Sequence, residues 1–126
     1  MPITAETMPR DLYSMNPREV EEYYRAAMMR NFERLFELKP DLKLADFHRV
    51  YVHQASPAAV KAFRLISGLC EEQVPLIGDQ IGNPAAAVTG IMFDDDWRAG
   101  RVAKGDNILF SVVGAGAING AALFRL

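Results

Sequence analysis

The chain has 126 residues, half of them hydrophobic, and a formal net charge of −2. This length and composition suit one folded domain and exclude a disordered chain, and the mild acidity argues against nucleic acid or an anionic membrane as a partner. One cysteine excludes an internal disulfide, two histidines argue against a metal site, and no apolar run is long enough to span a membrane. We therefore predict a cytoplasmic protein that is a single domain over residues 1–126 and uses no metal.

The chain is predicted to begin with an irregular lead-in over residues 1–11 and a short strand at Asp11–Met15. A first helix starts with Asn16 as its N-cap and Pro17 in its first turn, and it ends at Lys39-Pro40. This helix has more apolar side chains than one buried stripe needs, so we expect self-association or a partner chain to cover them. The residues concerned are Tyr23, Tyr24, Met28, Met29 and Phe32.

Strands and helices alternate along the rest of the chain. The predicted strands are Phe47–Val52, Val74–Ile77, Ile108–Val113 and Ile118–Leu126. A capping residue followed by proline starts each remaining helix, at Ser56-Pro57 and at Asn83-Pro84, and the helices end at Gly68 and Gly100. Buried positions are expected at Ala59, Val60, Phe63 and Ile66 on the second helix and at Ala87, Val88, Ile91, Met92 and Trp97 on the third. The order predicts an α/β fold, with helices packed on a mostly parallel sheet that ends in an antiparallel hairpin.

Two polar residues stand where such a fold places functional sites. His53 directly follows the first buried strand, and Asn83 comes at the same end of the next predicted strand. Because sites in open α/β sheets lie at the carboxyl ends of the strands, neighbouring strands would direct both side chains into one crevice. Each residue also has an ordinary alternative, a loop histidine bonded to the backbone and a helix N-cap. His48, at the other end of its strand, is expected on the surface.

Three other features of the sequence could suggest a functional site, but for two of them we predict no catalytic or metal-binding role, and for the third only a role of backbone N–H groups. Asp94–Asp96 point in directions about 100° apart on a helix, which predicts a solvated face rather than a metal site. Cys70 precedes Glu71 and Glu72, a poor setting for a nucleophilic thiolate. The turn Gly114–Gly116 lacks the following helix that a dinucleotide fingerprint requires, but its backbone N–H groups could face an anion.

Several motifs in order resemble the ketoacyl synthase III family of condensing enzymes. They are Tyr51-Val52-His53-Gln54-Ala55-Ser56, Ile81-Gly82-Asn83, the segment from Arg98 to Asp106, the turn from Val113 to Gly116, the segment from Asn119 to Leu123, and Met15 to Val20. The resemblance covers roughly Leu12 to Leu126. It is to the C-terminal half of a thiolase fold, which has two similar α/β halves, and the family's nucleophilic cysteine lies in the other half.

This resemblance implies part of an acyltransferase that condenses a malonyl thioester with an acyl-enzyme as carbon dioxide leaves. It assigns His53 and Asn83 to the decarboxylation step and the backbone turn Gly114, Ala115 and Gly116 to an oxyanion hole. It implies no cofactor. The implied partners are thioesters of coenzyme A or acyl carrier protein, and an N-terminal half chain or a second copy, without which the chain should be inactive.

The sequence departs from the family's pattern in three places. Pro84 replaces a threonine or serine, Ala115 replaces a glycine, and Ala58 stands where some members have an arginine used to dock the acyl carrier protein. Lys61 and Arg64 remain on that helix as candidates for carrier docking. Two interpretations stay open: part of an enzyme that an N-terminal half completes, or a non-catalytic remnant that binds thioesters or a partner protein.

Overall fold

A computed structural model describes residues 16–114 and 118–126. The helices are α1 (Pro17–Leu38), α2 (Pro57–Ser67), α3 (Gly78–Ile81) and α4 (Val88–Arg98), with 3₁₀ turns at Leu44–Asp46 and Ala85–Ala87. The strands are β1 (Arg49–Val52), β2 (Asn107–Gly114) and β3 (Ile118–Arg125). The predicted lead-in, the predicted strand at Asp11–Met15, and Ala115 and Gly116 lie outside the described residues.

The three strands form one mixed sheet in the order β1–β2–β3. β1 pairs with β2 in parallel, and β2 pairs with β3 in antiparallel orientation. One face packs on α1 and α2 through a core that includes Phe32, Phe47, Val50, Val52, Val60, Phe63 and Leu109. The other face packs on α4 through a core that includes Tyr51, Val88, Met92, Val102 and Ile108. The predicted α/β class and its C-terminal antiparallel hairpin are confirmed.

The first two helices begin and end where their sequences predict. The side-chain oxygen of Asn16 accepts the N–H groups of Arg18 at 3.1 Å and Glu19 at 3.4 Å, which satisfies two donors that α1 cannot use itself. Ser56 caps α2 in the same way, and α2 ends at Gly68, whose φ of 77° lies in the left-handed region. These signals involve only near neighbours in sequence.

The apolar residues of α1 pack on the chain's own sheet. Met28 and Phe32 are buried, and Tyr23, Tyr24 and Met29 are half-buried against the same core. The five residues that led us to expect a covering chain are thus wholly or partly covered by the chain itself. The expected second copy or partner chain stays a prediction.

The segment Val74–Ile77 is not a strand, contrary to its prediction. Pro75 has no N–H to donate to a neighbouring strand. The Nε2 of Gln54 donates to the Pro75 carbonyl at 2.8 Å, and its Oε1 accepts the N–H groups of Ile77 at 3.0 Å and Gly78 at 2.9 Å. One buried amide side chain thus binds the backbone groups that a sheet ladder would have used.

The third predicted helix begins later than expected and has a different buried face. Asn83 accepts the N–H of Ala85 and opens a 3₁₀ turn, after which α4 starts at Val88. Ile91 and Trp97 of α4 are 41% and 54% exposed, and Ile66 of α2 is 53% exposed. Ala87, just before α4, is exposed as well, so these four core predictions were wrong. Each helix covers a narrower part of the sheet than its apolar pattern indicates.

An uncovered apolar surface lies on the α4 side of the sheet. Val112, Ile118 and Phe124 share this side with Ile108 by strand alternation, and they are 43%, 69% and 53% exposed. Aromatic rings continue from Phe124 towards α4 through Phe110 and Phe93 to Trp97, with centroid distances of 5.9, 5.8 and 6.0 Å. We call these six residues, Val112, Ile118, Phe124, Phe110, Phe93 and Trp97, the hairpin face.

Candidate functional site

His53 lies directly after β1 and is enclosed. Its backbone N–H donates to the Ser111 carbonyl of β2 at 2.9 Å, which extends the parallel ladder by one residue. The residue is 7% exposed, and its Nε2 is buried without a hydrogen-bond partner in the described part of the chain. Burial lowers the pKa of the imidazole below 6.5, so the ring is neutral at pH 7. A buried ring nitrogen of this kind is a place where a ligand oxygen can bond.

The structural element that precedes Asn83 differs from the predicted one. Asn83 follows α3 rather than a strand, because Val74–Ile77 is irregular. Its Oδ1 accepts the Ala85 N–H at 3.0 Å, and the residue is exposed. The side-chain oxygen of Asn83 therefore acts as a cap, which is the ordinary alternative considered for this residue. Its Nδ2 makes no hydrogen bond within residues 16–114 and 118–126.

Gln54 connects the two candidate residues and was missed by sequence reasoning. It directly follows His53, it is 1% exposed, and its side chain binds the segment from Pro75 to Gly78 that leads through α3 to Asn83. Its Nε2 also lies 3.3 Å from the sulfur of Met92 on α4. Its place beside His53 was the one available signal, but nothing local indicates that its amide is buried.

Substituting Gly78 tests the Gln54 contact. A Cβ at Gly78 would lie 3.2 Å from Oε1 of Gln54, whereas a Cβ at Gly90 of α4 would meet nothing within 4 Å. We expect Gly78→Ala to lower the free energy of unfolding by about 1–2 kcal/mol, because the held amide must shift. Gly90→Ala should leave it unchanged or raise it by about 1 kcal/mol. Urea denaturation measures both variants, and equal effects would contradict this role of Gln54.

The other candidate residues lie at the end of β2 and on α2. Gly114, the described end of the predicted oxyanion turn, is exposed and pairs with Ile118. Lys61 of α2 is exposed. Arg64 donates to the Val74 carbonyl at 2.9 and 2.6 Å and to Glu71 at 2.9 Å, so its guanidinium holds the loop after α2.

His48 and Cys70, for which the sequence predicts no catalytic role, are on the surface. His48 is exposed, as expected, with its Nε2 2.7 Å from the Arg101 carbonyl. Cys70 is exposed in the turn after α2. Within the described ranges, no cluster of three or more His, Cys, Asp or Glu side chains could hold a metal ion. No helix in those ranges is both long and apolar enough to cross a membrane.

Asp96 is buried, which corrects the prediction of a solvated face. It is 4% exposed, and its Oδ2 accepts the hydroxyl of Tyr51 at 2.8 Å and the Nε of Arg49 at 2.9 Å. Its Oδ1 accepts the Nε of Arg101. Burial by itself raises the pKa of Asp96, but the hydrogen bonds from Arg101, Tyr51 and Arg49 outweigh it and hold the pKa below 3.8. These four residues, the Asp96 network, join α4 to β1 on the strand that leads to His53.

The mixed sheet between two helix layers, its antiparallel C-terminal hairpin and the enclosed histidine at a strand end agree with the half thiolase fold that the sequence motifs imply. The family model of the C-terminal region of 3-oxoacyl-[acyl-carrier-protein] synthase III matches residues 39–126. The chain therefore belongs to that family, as its motifs indicated.

Relatives agree with this assignment. The chain is 38% identical over 88 residues to the beta-ketoacyl-[acyl-carrier-protein] synthase III of Coxiella burnetii, covering 70% of this chain and 28% of that protein. It is 29% identical over 126 residues to that of Solibacter usitatus, covering 98% and 38%. The crystal structure of the Thermus thermophilus synthase III aligns with a TM-score of 0.82 at 30% identity, covering 90% of this chain and 35% of that one. The chain spans about a third of the length of the proteins that it matches.

Proposed function

We propose that this chain supplies the decarboxylation residues of a condensing enzyme that acts on malonyl and acyl thioesters. The observation that carries the proposal is the enclosed Nε2 of His53, neutral and without a partner in the described residues. A neutral imidazole N–H donates to the thioester oxygen as that oxygen becomes enolate-like. Asn83 supplies the second donor through its Nδ2, because its Oδ1 is already held by Ala85. Donors fixed in place act where charge develops during the reaction.

The nucleophile of the reaction comes, in this proposal, from an N-terminal half. Cys70 is the one thiol of the chain, and it lies in the exposed turn after α2. Acyl transfer requires a thiolate within bonding distance of the acyl carbonyl, beside a base and oxyanion donors. The relatives are about three times as long as the stretch that this chain matches, which leaves room for a cysteine-bearing half in them.

The hairpin face is the proposed contact surface for that half. Its two outermost rings, Trp97 and Phe124, are 54% and 53% exposed, and half-buried rings connect them. A continuous apolar surface of this kind marks an interaction site rather than an ordinary monomer surface. Carrier docking is assigned to α2 on the opposite side of the sheet, where Lys61 is the exposed cation and Arg64 is bound to Glu71.

Mixing experiments test the proposed function. We expect condensation of acyl- and malonyl-coenzyme A when the chain is mixed with the N-terminal half of the Coxiella burnetii relative, and none with either part alone. Phe124→Glu should prevent both association and condensation, because it places a charge on the hairpin face. Leu65→Glu, at an 85% exposed position of α2, is the control and should prevent neither. Cys70→Ser should leave the mixture active.

The alternative function predicts a different result from the same mixture. A non-catalytic remnant would bind malonyl-coenzyme A, measured by calorimetry, while a wild-type mixture that associates releases no carbon dioxide. Condensation by the 126-residue chain alone, lost in Cys70→Ser, would contradict the half-enzyme proposal altogether.

A further inference from the structure

We propose that Tyr24 of α1 is a positioning residue for His53, with its ring holding the imidazole in one orientation and shielding it from water. The inference rests on the proposed role of His53. The two ring centroids are 5.2 Å apart and the ring planes are inclined by 30°. This distance lies within the range in which aromatic rings attract one another. Tyr24 itself is half-buried against the α1 side of the core.

The contact depends on how α1 is held against the sheet. Asn31, two helical turns after Tyr24 and on the same side of α1, donates through its Nδ2 to the Ser111 hydroxyl at 3.1 Å. The same nitrogen lies within hydrogen-bond distance of the carbonyls of Val112 at 3.2 Å and Gly120 at 2.9 Å, so its two hydrogens are shared among three acceptors. Asn31 is 6% exposed, so these bonds set the register of α1 on the hairpin.

Ser111 also holds the backbone of His53. Its carbonyl accepts the His53 N–H at 2.9 Å, while its hydroxyl accepts from Asn31. One residue of β2 therefore fixes both the helix that bears Tyr24 and the strand end that bears His53. Because Ser111 bonds both to α1 and to the backbone of His53, the positions of the two rings relative to each other are fixed by the backbone of the fold.

The shape of the contact suits the proposed chemistry. The ring of Tyr24 is inclined to the imidazole by 30° at a centroid distance of 5.2 Å, so it packs beside His53 as a tilted neighbour. Within the described residues no ion pair includes His53, and burial is the one cause that lowers its pKa. The contact with His53 is made by the Tyr24 ring, so the proposal assigns the role to the ring and not to the hydroxyl.

The first test is a proton NMR titration of the 126-residue chain. It has two histidines, so His48 provides a reference signal in every spectrum, assigned with His48→Gln. We expect Tyr24→Ala to raise the pKa of His53 towards 6.5 and Tyr24→Phe to leave it unchanged, with the His48 signal the same in all variants. An unchanged pKa of His53 in Tyr24→Ala would overturn the proposal. Tyr24→Leu, which keeps much of the volume, replaces Tyr24→Ala if that variant does not fold.

The second test uses the mixture with the N-terminal half. Tyr24→Ala should lower kcat by up to about 10²-fold, because a loosened imidazole spends less time aligned with the thioester oxygen. Tyr24→Phe should keep the wild-type kcat, and KM for malonyl-coenzyme A should change little in either variant. Equal losses in both variants would overturn the proposal by assigning the role to the hydroxyl. If the wild-type mixture is inactive, the proposed function fails, and the NMR titration still decides whether Tyr24 shields His53.

Discussion

Asp96→Asn should lower the free energy of unfolding by about 2–4 kcal/mol. The substitution keeps the shape of the side chain and removes the charge that faces Arg49 and Arg101. It also replaces a carboxylate acceptor of the Tyr51 hydroxyl with a weaker one or with a donor. Because the position is 4% exposed, water cannot take the place of the lost interactions. Denaturation in urea, followed by circular dichroism, measures the effect.

A neighbouring aspartate provides the matched control. Asp94, on the same helix, is exposed and pairs with Arg98 one turn later. Exposed pairs of this kind contribute little, so Asp94→Asn should change the free energy of unfolding by no more than about 0.5 kcal/mol. Equal effects of the two substitutions would show that the Asp96 network does not stabilise the contact between α4 and β1.

The difference in the free energy of unfolding between wild type and Asp96→Asn should depend on pH in a definite direction. The pKa of Asp96 is lower in the folded chain than its ordinary value of 3.8. Its charged form therefore stabilises the folded chain fully above pH 3.8, and this stabilisation is lost as the pH falls through the lower folded pKa. The difference between wild type and Asp96→Asn should be constant near neutral pH and shrink below pH 3.8. A difference that grows on acidification would contradict the assignment.

His53→Ala, in the mixture with the N-terminal half, should lower the rate of decarboxylative condensation by about 10²–10³-fold. In the proposed mechanism, the variant lacks a donor to the thioester oxygen at the moment when that oxygen gains charge. Transfer of the acyl group to a cysteine of the N-terminal half would precede this step and should continue, as an intact-mass measurement of the acylated half would show. Asn83→Ala would remove the second proposed donor and should produce a loss of the same order.

The second histidine of the chain serves as the control. His48 is exposed at the other end of β1 and bonds to the Arg101 carbonyl, so His48→Ala should leave the rate unchanged. Loss of acylation in His53→Ala, or an equal loss of rate in His48→Ala, would contradict the role proposed for His53.

The sequence by itself determined the features that depend on near neighbours or on ordered motifs. The starts of α1 and α2 follow from Asn16 and Ser56, each bonded to backbone N–H groups within its own first turn. The end of α2 follows from Gly68, whose positive φ costs little without a Cβ. The spaced motifs from His53 onwards sufficed to indicate the family that the comparison of residues 39–126 then showed.

Only the tertiary structure decided which polar groups meet inside the protein. Asp96 is buried because Arg49 and Tyr51, 47 and 45 residues earlier, surround it, and nothing beside it in the chain indicates this. Val74–Ile77 stays irregular because Gln54 binds its backbone from more than 20 residues away. A cap needs one hydrogen bond within a turn, so its residues encode it locally. A buried polar contact needs several elements to pack first, so its outcome depends on the whole arrangement.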